Sequence, residues 1–265
     1  MKIIDGKKIA DQILDGLKNE IDRKNLQPCL AAVLVGDDPA SHLYLRKKEG
    51  AAQKVGIEIR KHSLPAQTSE KEVLDLINSL NQDDRIDGIL VQLPLPSQLT
   101  ADKIIQAIEP VKDVDGFVKE SRFESPFILA IWQALVATGQ KLNNKKIIAL
   151  VNSDIFGRAL KLYLKGLKVD YLLGFENKFL TDLKEADVLI SALGRPALIK
   201  GEMIKEGTIL IDGGISRVDN KVVGDVDRKD IQGKAGWLTP APGGLGPLTV
   251  AFLLKNVILA SQLNL

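Results

Sequence analysis

Short apolar runs recur along this chain of 265 residues, and the first of them is CLAAVLVG at residues 29–36. It is apolar at every position and not only at every second one, so a strand formed from it must be covered on both faces. Strands of parallel sheets meet that condition, because the helices that connect them pack on both faces. Further strands are predicted at 58–64, 88–94, 146–152, 168–174, 187–193 and 208–214. The chain is therefore predicted to have an α/β fold.

Segments with helical periodicity separate these strands. Apolar residues recur every four positions in the first of them, at Ile9, Ile13, Leu17 and Ile21. Other helices are predicted at 41–55, after the capping-box pattern Ser69-x-x-Glu72, at 127–138 and from Pro247. The alternation restarts after residue 138, which at this chain length favours two lobes. We expect one lobe over 1–120, joined by the C-terminal helix 247–265, and a Rossmann-like, doubly wound lobe over 121–246.

The composition argues against several classes of function. The 36 basic residues nearly balance the 34 acidic ones, so no net field attracts nucleic acid or an anionic membrane. No apolar run reaches the roughly 18 residues that a membrane-spanning helix needs. Cys29 is the only cysteine, so we expect a cytoplasmic protein without an internal disulfide or a bound metal. With two histidines, acid–base chemistry would fall to lysine, tyrosine or carboxylates.

Tyr44 and Lys48 lie four residues apart in a predicted helix and so share one of its faces. Spacing alone does not separate a functional pair from a tyrosine at the core edge beside a solvated lysine. Gln92 lies in the predicted strand 88–94, near the carboxyl end where ligands gather in open α/β sheets. A buried amide there needs hydrogen-bond partners, and structural and functional roles are equally open.

Three further segments have the composition of ligand-binding loops. VKDVDGF (111–117) places Asp113 and Asp115 beside a glycine, although a turn stabilised by aspartate side chains is the commoner use. TPAPGGLGPLTVA (239–251) combines prolines and glycines before a helix, which is typical of a wall that approaches a ligand closely. LVNSDIFGRAL (150–160) runs from an apolar strand to a single glycine and has the outline of a nucleotide-binding turn.

Taken together, these segments are similar to signatures of the methylenetetrahydrofolate dehydrogenase/cyclohydrolase family. The matching stretches follow the family's order and are IIDGKKIA, LVGDDPAS followed by YLRKK, DGILVQLPLP, KDVDGF, VVGDVD and TPAPGGLGPLTVA. The resemblance implies a two-lobed enzyme, usually a homodimer, with a folate cleft between the lobes. It also implies oxidation of 5,10-methylenetetrahydrofolate by hydride transfer to NAD(P), followed by hydrolysis of the methenyl product to 10-formyltetrahydrofolate.

The resemblance also implies roles for individual residues. Lys48 would be the catalytic lysine, hydrogen-bonded by Gln92. Tyr44 would stack on the aminobenzoate part of folate, and Asp115 would hold the pterin ring. Further substrate contacts are implied at Leu93, Pro242, Gly243 and Gly244. These residue types suit the chemistry, because a lysine becomes a base near neutral pH only when burial or neighbours lower its pKa.

The second lobe departs from the family's pattern at the nucleotide-binding turn. The family motif GRSxxVG aligns with 151–157, where Val151 and Asn152 replace the first glycine and the arginine. We expect Val151 to crowd an approaching cofactor. Asp154 is expected to add negative charge near a helix N-terminus that would otherwise attract phosphate.

A second departure lies at 173–177, where Phe175 and Glu176 replace the serine and the arginine of a CHSRT-like segment. An acid at this place often holds the ribose of NAD and rejects NADP, although a solvated glutamate is an equal alternative.

A third departure from the family's pattern lies at FESPFI (123–128), which keeps only part of the family's PCTPxG segment. Cofactor contacts are predicted at Val151, Asn152, Ser153, Gly157, Glu176 and Ile215, with NAD favoured over NADP.

The leading hypothesis is a bifunctional folate enzyme. The altered turn keeps open a cyclohydrolase-only enzyme with a degenerate dinucleotide site. A non-catalytic folate-binding relative is opposed by the joint presence of Tyr44, Lys48, Gln92 and Asp115. An unrelated nucleotide-binding module is opposed by the charge balance and by the ordered signatures. The expected partners are a folate substrate and a second copy of the chain, without nucleic acid or membrane.

Overall fold

Helices and strands alternate in the computed structural model, which describes residues 1–219 and 221–263. The helices are α1 (Gly6–Lys24), α2 (Pro39–Val55), α3 (Glu70–Gln82), α4 (Ala101–Ile105), α5 (Pro126–Ala137), α6 (Asp154–Tyr163), α7 (Leu180–Glu185) and α8 (Leu245–Ser261). The strands are β1 (Lys2–Ile3), β2 (Cys29–Val35), β3 (Glu58–Leu64), β4 (Gly88–Val91), β5 (Lys146–Val151), β6 (Lys168–Leu173), β7 (Val188–Ala192), β8 (Ile209–Asp212), β9 (Ser216–Val218), β10 (Lys221–Val223) and β11 (Trp237–Leu238). The predicted α/β class is confirmed.

The chain divides into two compact units. The three-strand unit comprises Ala10–Pro126 and Thr249–Leu265, and the six-strand unit comprises Met1–Ile9 and Phe127–Leu248. Within the described part of the chain, no helix combines the length and the apolar character that crossing a membrane requires.

The N-terminus lies in a different unit from the one expected for residues 1–120. Strand β1 pairs in parallel with β11, and the Lys2 amide donates a 2.8 Å hydrogen bond to the Gly236 carbonyl. These few residues therefore extend the larger sheet. A strand of two residues has no periodicity to detect, so the sequence pattern could not reveal this pairing.

The three-strand unit is built on a parallel sheet with the order β3-β2-β4. All seven residues of the central strand β2 are buried, as its unbroken apolar sequence predicts. The capping box that begins α3 is also present, with reciprocal hydrogen bonds between Ser69 and Glu72. Strand β4 ends at Val91, earlier than expected, so Gln92 follows the strand and does not lie inside it. Its amide still donates to the Val33 carbonyl at 2.8 Å, which fixes Gln92 at the carboxyl edge.

The six-strand unit is built on a sheet with the order β1-β11-β8-β7-β5-β6, and all of its neighbouring strands are parallel. From β5 the chain adds β6 on one side and then returns to add β7 on the other side. This reversal between β5 and β7 is the topological switch point at which doubly wound sheets bind ligands. The segments that follow β5, β6, β7 and β8 meet at this carboxyl edge.

Helix α6 packs closely on the edge strand β6 at Gly157. A Cβ atom added to Gly157 would overlap the ring of Tyr171. The Tyr171 hydroxyl also donates to the Asp154 carboxylate at 2.7 Å. Gly157 therefore serves the packing of a helix on a strand, which is one of the roles of glycine in dinucleotide-binding turns.

We expect Gly157→Ala to lower the free energy of unfolding by about 1–3 kcal/mol, because the added methyl group overpacks the contact with Tyr171. Gly16→Ala is the matched control, since Gly16 also lies within a helix but a Cβ there meets no described atom within 4 Å. That control is expected to be neutral or to stabilise the fold by up to about 1 kcal/mol. Urea unfolding measures both changes, and equal stability of Gly157→Ala and the unmodified protein would contradict this account of the helix contact.

Candidate active site

Four side chains predicted as functional come together in the three-strand unit. Lys48 Nζ donates a 3.0 Å hydrogen bond to Gln92 Oε1. The same atom lies 5.6 Å from the centroid of the Tyr44 ring. The Asp115 carboxylate acts electrostatically on both Lys48 and Tyr44. The residues come from α2, the end of β4 and the segment after α4, so only the folded chain assembles them.

Lys48 is a buried lysine on the apolar stripe of α2. The buried residues of this helix are Ser41, Leu45, Lys48, Ala52 and Val55, which recur at helical spacing on one face. The side chain of Lys48 is only 7% exposed, so the alternative of a solvated lysine is wrong. A lysine at a position where an apolar residue is expected was a signal in the sequence that Lys48 has a specific role.

The start of α2 fixes the direction in which this stripe faces. Asp38 caps the helix by accepting a 2.8 Å hydrogen bond from the Ser41 amide, and Pro39 occupies the first turn, where its missing N–H costs nothing. The Ser41 hydroxyl also donates to Asp38 at 2.8 Å. These contacts set the helix start, and Tyr44 and Lys48 then follow one and two turns later.

Burial in this cluster shifts the protonation equilibrium of Lys48 toward the uncharged amine. Burial lowers the pKa of Lys48, and the Asp115 carboxylate opposes that shift. Burial raises the pKa of Asp115, with Lys48 opposing and Asp113 reinforcing the shift. The pKa of Tyr44 is raised by burial and by Asp115. The neutral Gln92 amide supplies a hydrogen bond to Lys48 without a carboxylate that would hold the lysine charged.

Gln92 is itself fixed by its neighbour. Its Nε2 donates a 2.7 Å hydrogen bond to the Leu93 carbonyl, so its Oε1 is the atom left to face the lysine. The side chain of Leu93, a predicted substrate contact, is 38% exposed beside this pair. The Gln92 side chain is half-buried, and both its oxygen and its nitrogen have hydrogen-bond partners, as a buried amide requires.

Asp113 and Asp115 are two residues apart but have different surroundings and different roles. Asp113 is 1% exposed, and its carboxylate accepts hydrogen bonds from the amides of Gly116 at 3.1 Å and Val118 at 2.7 Å. Gly116 has a φ of +70°, so the segment turns here. A turn stabilised by an aspartate side chain, the commoner use of such a segment, is therefore present at Asp113. Asp113 builds the turn, and Asp115 is the half-buried carboxylate that it presents.

In the six-strand unit, the segment after β5 begins α6 at the switch point. Ser153 caps the helix, with its hydroxyl accepting from the Phe156 amide at 3.4 Å. The Asp154 carboxylate is bound by the Tyr171 hydroxyl and by the Arg158 guanidinium, each at 2.7 Å. The negative charge expected near this helix N-terminus is therefore partly neutralised within the protein. Asn152 is exposed.

Val151 ends the strand that leads into this turn. It is fully buried in β5, and its carbonyl accepts a 2.8 Å hydrogen bond from the Gly174 amide. Its side chain therefore presents no exposed surface at this edge. The valine fits here because both faces of this parallel strand are covered.

Glu176 follows β6 at the same edge and is exposed. Its carboxylate forms a 2.7 Å ion pair with Lys178, two residues further along the chain. Ile215, which follows β8, is 50% exposed. The structure thus places Asn152, Ser153, Glu176 and Ile215 on segments that leave one edge of the sheet.

An open cleft of about 510 Å³ lies after β7 at this edge. Its lining residues are Gly194, Arg195, Pro196, Ala197, Leu198, Lys200, Glu202 and Met203. Arg195 and Lys200 give it two cations that suit the phosphates of a dinucleotide. Sequence analysis missed both residues, although the Gly194-Arg195-Pro196 turn directly after an apolar strand was a usable signal.

Two buried aspartates that sequence analysis also missed hold this edge together. The Asp225 carboxylate accepts hydrogen bonds from the Ser191 hydroxyl, the Leu193 amide and the Arg195 amide at 2.7 to 2.8 Å. The Asp212 carboxylate in turn accepts a 2.9 Å hydrogen bond from the Asp225 amide. Burial raises the pKa of Asp212 to about 6, although the amides that bind it act in the opposite direction.

The predicted substrate residues Pro242, Gly243 and Gly244 belong to the six-strand unit. Gly243 has a φ of +98°, and its carbonyl accepts a 3.0 Å hydrogen bond from the Lys7 amide. A Cβ atom added to Gly6 would overlap the Gly244 carbonyl. These glycines therefore allow the main chain at 243–244 to pack closely against the main chain at 6–7. Pro242 is exposed.

No group of three histidine, cysteine, aspartate or glutamate side chains among residues 1–219 and 221–263 is arranged to hold a metal ion.

Comparison with known proteins connects both units to folate metabolism. Residues 4–115 match the family model described as the catalytic domain of tetrahydrofolate dehydrogenase/cyclohydrolase, and residues 127–265 match its NAD(P)-binding domain. The bifunctional protein FolD of Halothermothrix orenii is 42% identical over 98% of both chains. FolD of Moorella thermoacetica is 42% identical over 98% of this chain and 99% of its own.

Solved structures agree with these relatives. The bifunctional FolD enzyme of Campylobacter jejuni has a TM-score of 0.94 and 36% identity, with 100% of both chains covered. The FolD enzyme of Trypanosoma brucei, solved with an NADP cofactor and an inhibitor, has a TM-score of 0.92 and 27% identity over 98% of this chain and 97% of its own.

The two aspartates of the 113–118 turn should respond differently to substitution. We expect Asp113→Ala to lower the free energy of unfolding by roughly 1–3 kcal/mol, because the Val118 amide loses its acceptor and the Gly116 amide keeps only the Asp113 carbonyl. We expect Asp115→Asn to change it by less than about 1 kcal/mol, since burial already disfavours the Asp115 charge. Asp115→Asn should instead lower the pKa of Lys48 further, because the carboxylate that opposes the burial shift is gone.

Urea unfolding and an NMR titration of ¹³Cε-labelled lysine test this pair of expectations. A stable Asp113→Ala variant would show that the turn does not depend on that carboxylate. A rise in the pKa of Lys48 in Asp115→Asn would contradict the electrostatic coupling of the two residues.

Proposed function

The chain belongs to the tetrahydrofolate dehydrogenase/cyclohydrolase family, and we propose that Lys48, Gln92, Tyr44 and Asp115 form its site of folate chemistry. The protein is a bifunctional enzyme of folate one-carbon metabolism. It oxidises 5,10-methylenetetrahydrofolate with a nicotinamide dinucleotide and hydrolyses the methenyl product to 10-formyltetrahydrofolate. The observation that carries the assignment of the site is the buried Lys48 Nζ, 3.0 Å from Gln92 Oε1.

Lys48 has the properties of a proton carrier for the hydrolysis. Water adds to the methenyl carbon and must lose a proton, and an uncharged Nζ accepts it. The lysine then delivers a proton to N5 as the bond between that carbon and N5 breaks, which leaves a formyl group on N10. Of the two protons of the water molecule, one ends on N5 and the other is released to solvent. Gln92 holds Nζ in place throughout without changing its charge.

Tyr44 and Asp115 have the chemistry to orient the substrate beside this lysine. The Tyr44 ring offers an apolar face next to Nζ on which the aminobenzoate ring of folate can stack. The half-buried Asp115 carboxylate can accept charge-assisted hydrogen bonds from the donor edge of the pterin. Its position beside Lys48 brings the pterin nitrogens near the proton carrier.

The carboxyl edge of the six-strand sheet fits a nicotinamide dinucleotide. Helix α6 has ten residues and begins directly after Ser153 at this edge, and helix N-termini attract phosphate. Arg195 and Lys200 add positive charge in the neighbouring cleft. When bound, the nicotinamide accepts the hydride from the one-carbon unit. The family match covers the NAD(P)-binding domain as well as the catalytic domain, and nothing favours the cyclohydrolase-only or the non-catalytic alternative.

We propose that this edge prefers NAD to NADP. The 2′-phosphate of NADP carries about two negative charges, and the chain offers Asn152 and Glu176 where the family pattern has arginines. The ion pair of Glu176 with Lys178 softens the repulsion but does not replace a free cation. NAD lacks the phosphate, and Glu176 can accept a hydrogen bond from its ribose hydroxyl.

A homodimer and a cytoplasmic location remain predictions that come with the family. Analytical ultracentrifugation and fractionation of the source cells would test them.

We expect Lys48→Met to lower the rate of methenyltetrahydrofolate hydrolysis by about 10²- to 10⁴-fold, because the proton carrier is lost, while folate binding is mostly retained. The absorbance of the methenyl compound in the near ultraviolet follows this reaction without a dinucleotide. Lys54→Met is the matched control on the same helix, since Lys54 is 53% exposed and forms only long contacts of 3.7 Å to Asp11 and Asp15. A Lys48→Met enzyme with a near-normal rate would disprove the role of Lys48.

Dissociation constants for NAD and NADP test the cofactor preference. The unmodified protein is expected to bind NADP at least about tenfold more weakly than NAD, since one lost charge-assisted hydrogen bond is worth roughly 1.5–3 kcal/mol and 1.4 kcal/mol is tenfold. Asn152→Arg combined with Glu176→Arg should strengthen NADP binding by at least about tenfold. Glu185→Arg is a charge control, because Glu185 pairs with Lys146 at the opposite edge of the sheet.

Equal or tighter binding of NADP by the unmodified protein would refute the preference. A double variant without any gain in NADP affinity would show that the charges of these two side chains do not set the specificity.

A further inference from the structure

Asn256 is a buried polar residue in an otherwise apolar part of α8. It is 3% exposed, and its neighbours Leu253, Leu254, Val257 and Ile258 are at most 1% exposed. Leucine has nearly the same shape and would fill the position without a polar group to satisfy. Because a buried amide lowers stability unless it is hydrogen-bonded, the asparagine is expected to have a specific partner.

Both protons of the Asn256 amide bind the segment that carries Asp115. Nδ2 donates to the Val114 carbonyl at 2.9 Å and to the Glu124 carbonyl at 3.0 Å. These two carbonyls lie at the two ends of the loop 114–124. One side chain of the C-terminal helix therefore closes this loop by holding its ends together.

The loop between these ends is held from two other sides. Asp113 binds the amides of Gly116 and Val118 from inside the turn. Gln106, after α4, donates to the Phe117 carbonyl at 3.0 Å and accepts from the Lys119 amide at 3.2 Å. These contacts fix the shape of the turn, whereas the hydrogen bonds of Asn256 fix the position of its ends.

The geometry points to Asn256 as a positioning residue for the folate site: by binding the Val114 carbonyl, it sets where the adjacent Asp115 carboxylate lies relative to Lys48. The inference rests on the proposed function, because it takes Asp115 and Lys48 as parts of that site. Asn256 touches neither of them and acts only through the loop. The C-terminal helix thereby becomes part of the substrate site, although it supplies no residue that contacts the reacting atoms.

Asn256→Leu removes both hydrogen bonds and keeps the volume of the side chain. It should raise the KM for methenyltetrahydrofolate by about ten- to a hundredfold, since a shift of about 1 Å in a positioned group has an effect of this size. The acid limb of the pH–rate profile should move to lower pH, because Asp115 no longer raises the pKa of Lys48. Hydrogen exchange of the amides in 114–124 should be faster by at least about tenfold, while that of β2 is unchanged.

Ser261→Ala is the matched control. Ser261 is also buried in α8, but its hydroxyl donates only within the helix, to the Ile258 carbonyl at 2.9 Å. This variant should leave the KM, the pH profile and the exchange of 114–124 unchanged. Asn256→Ser, which keeps one donor, is a second test variant and should fall between Asn256→Leu and the unmodified enzyme.

A role limited to stability would lower the melting temperature of Asn256→Leu and leave its KM and pH profile as they are, which would overturn the inference. The same effects in Ser261→Ala would overturn it as well. If Asn256→Leu does not fold, an unchanged KM in Asn256→Ser has the same meaning. An unmodified protein that does not hydrolyse the methenyl compound would instead overturn the proposed function itself.

Discussion

A strand of a parallel sheet that is buried on both faces can present polar groups to a ligand only at its ends, and both units of this protein obey that constraint. Strands β2 and β4 bury every residue, and Gln92 is the first residue after β4 to carry a functional polar group. In the six-strand unit, β7 and β8 run into the segments that hold Arg195 and Ile215. The chemistry collects at carboxyl edges because the cores of the sheets have no place for it.

The loops at these edges are shaped by buried side chains that bind main-chain groups. Asp113 and Asn256 both bind the turn that carries Asp115, Asp113 as an acceptor and Asn256 as a donor. Asp225 binds the amides of Leu193 and Arg195 in the same manner. Each of these groups is desolvated, so its removal leaves main-chain partners unsatisfied in the interior. A loop held in this way keeps its functional side chain in one place without any contact to the ligand.

At the carboxyl edge of the six-strand sheet, the acidic side chains form ion pairs with neighbouring cations. Asp154 alone would repel phosphate from the start of α6, but Arg158 and the Tyr171 hydroxyl bind its carboxylate. Glu176 has Lys178 as its partner. The carboxylates at this edge are therefore partly neutralised within the protein, although Asn152 and Glu176 stand where the family's pattern has arginines. Lys48 differs from these residues, because its hydrogen-bond partner at 3.0 Å is the neutral Gln92 amide and not a charged group.

The sequence by itself determined the α/β class, the order of the main strands and the residue types of the folate site, because unbroken apolar runs and ordered motifs are local properties of the chain. It did not determine that Lys48 is buried, that Val151 is hidden in the sheet or that Asp113 and Asp115 have different surroundings. It also did not reveal the strand β1 or the hydrogen bonds of Asn256, which lies 142 residues from Val114. Burial, charge pairing and the closing of a loop depend on residues distant in sequence, so only the tertiary structure decided them.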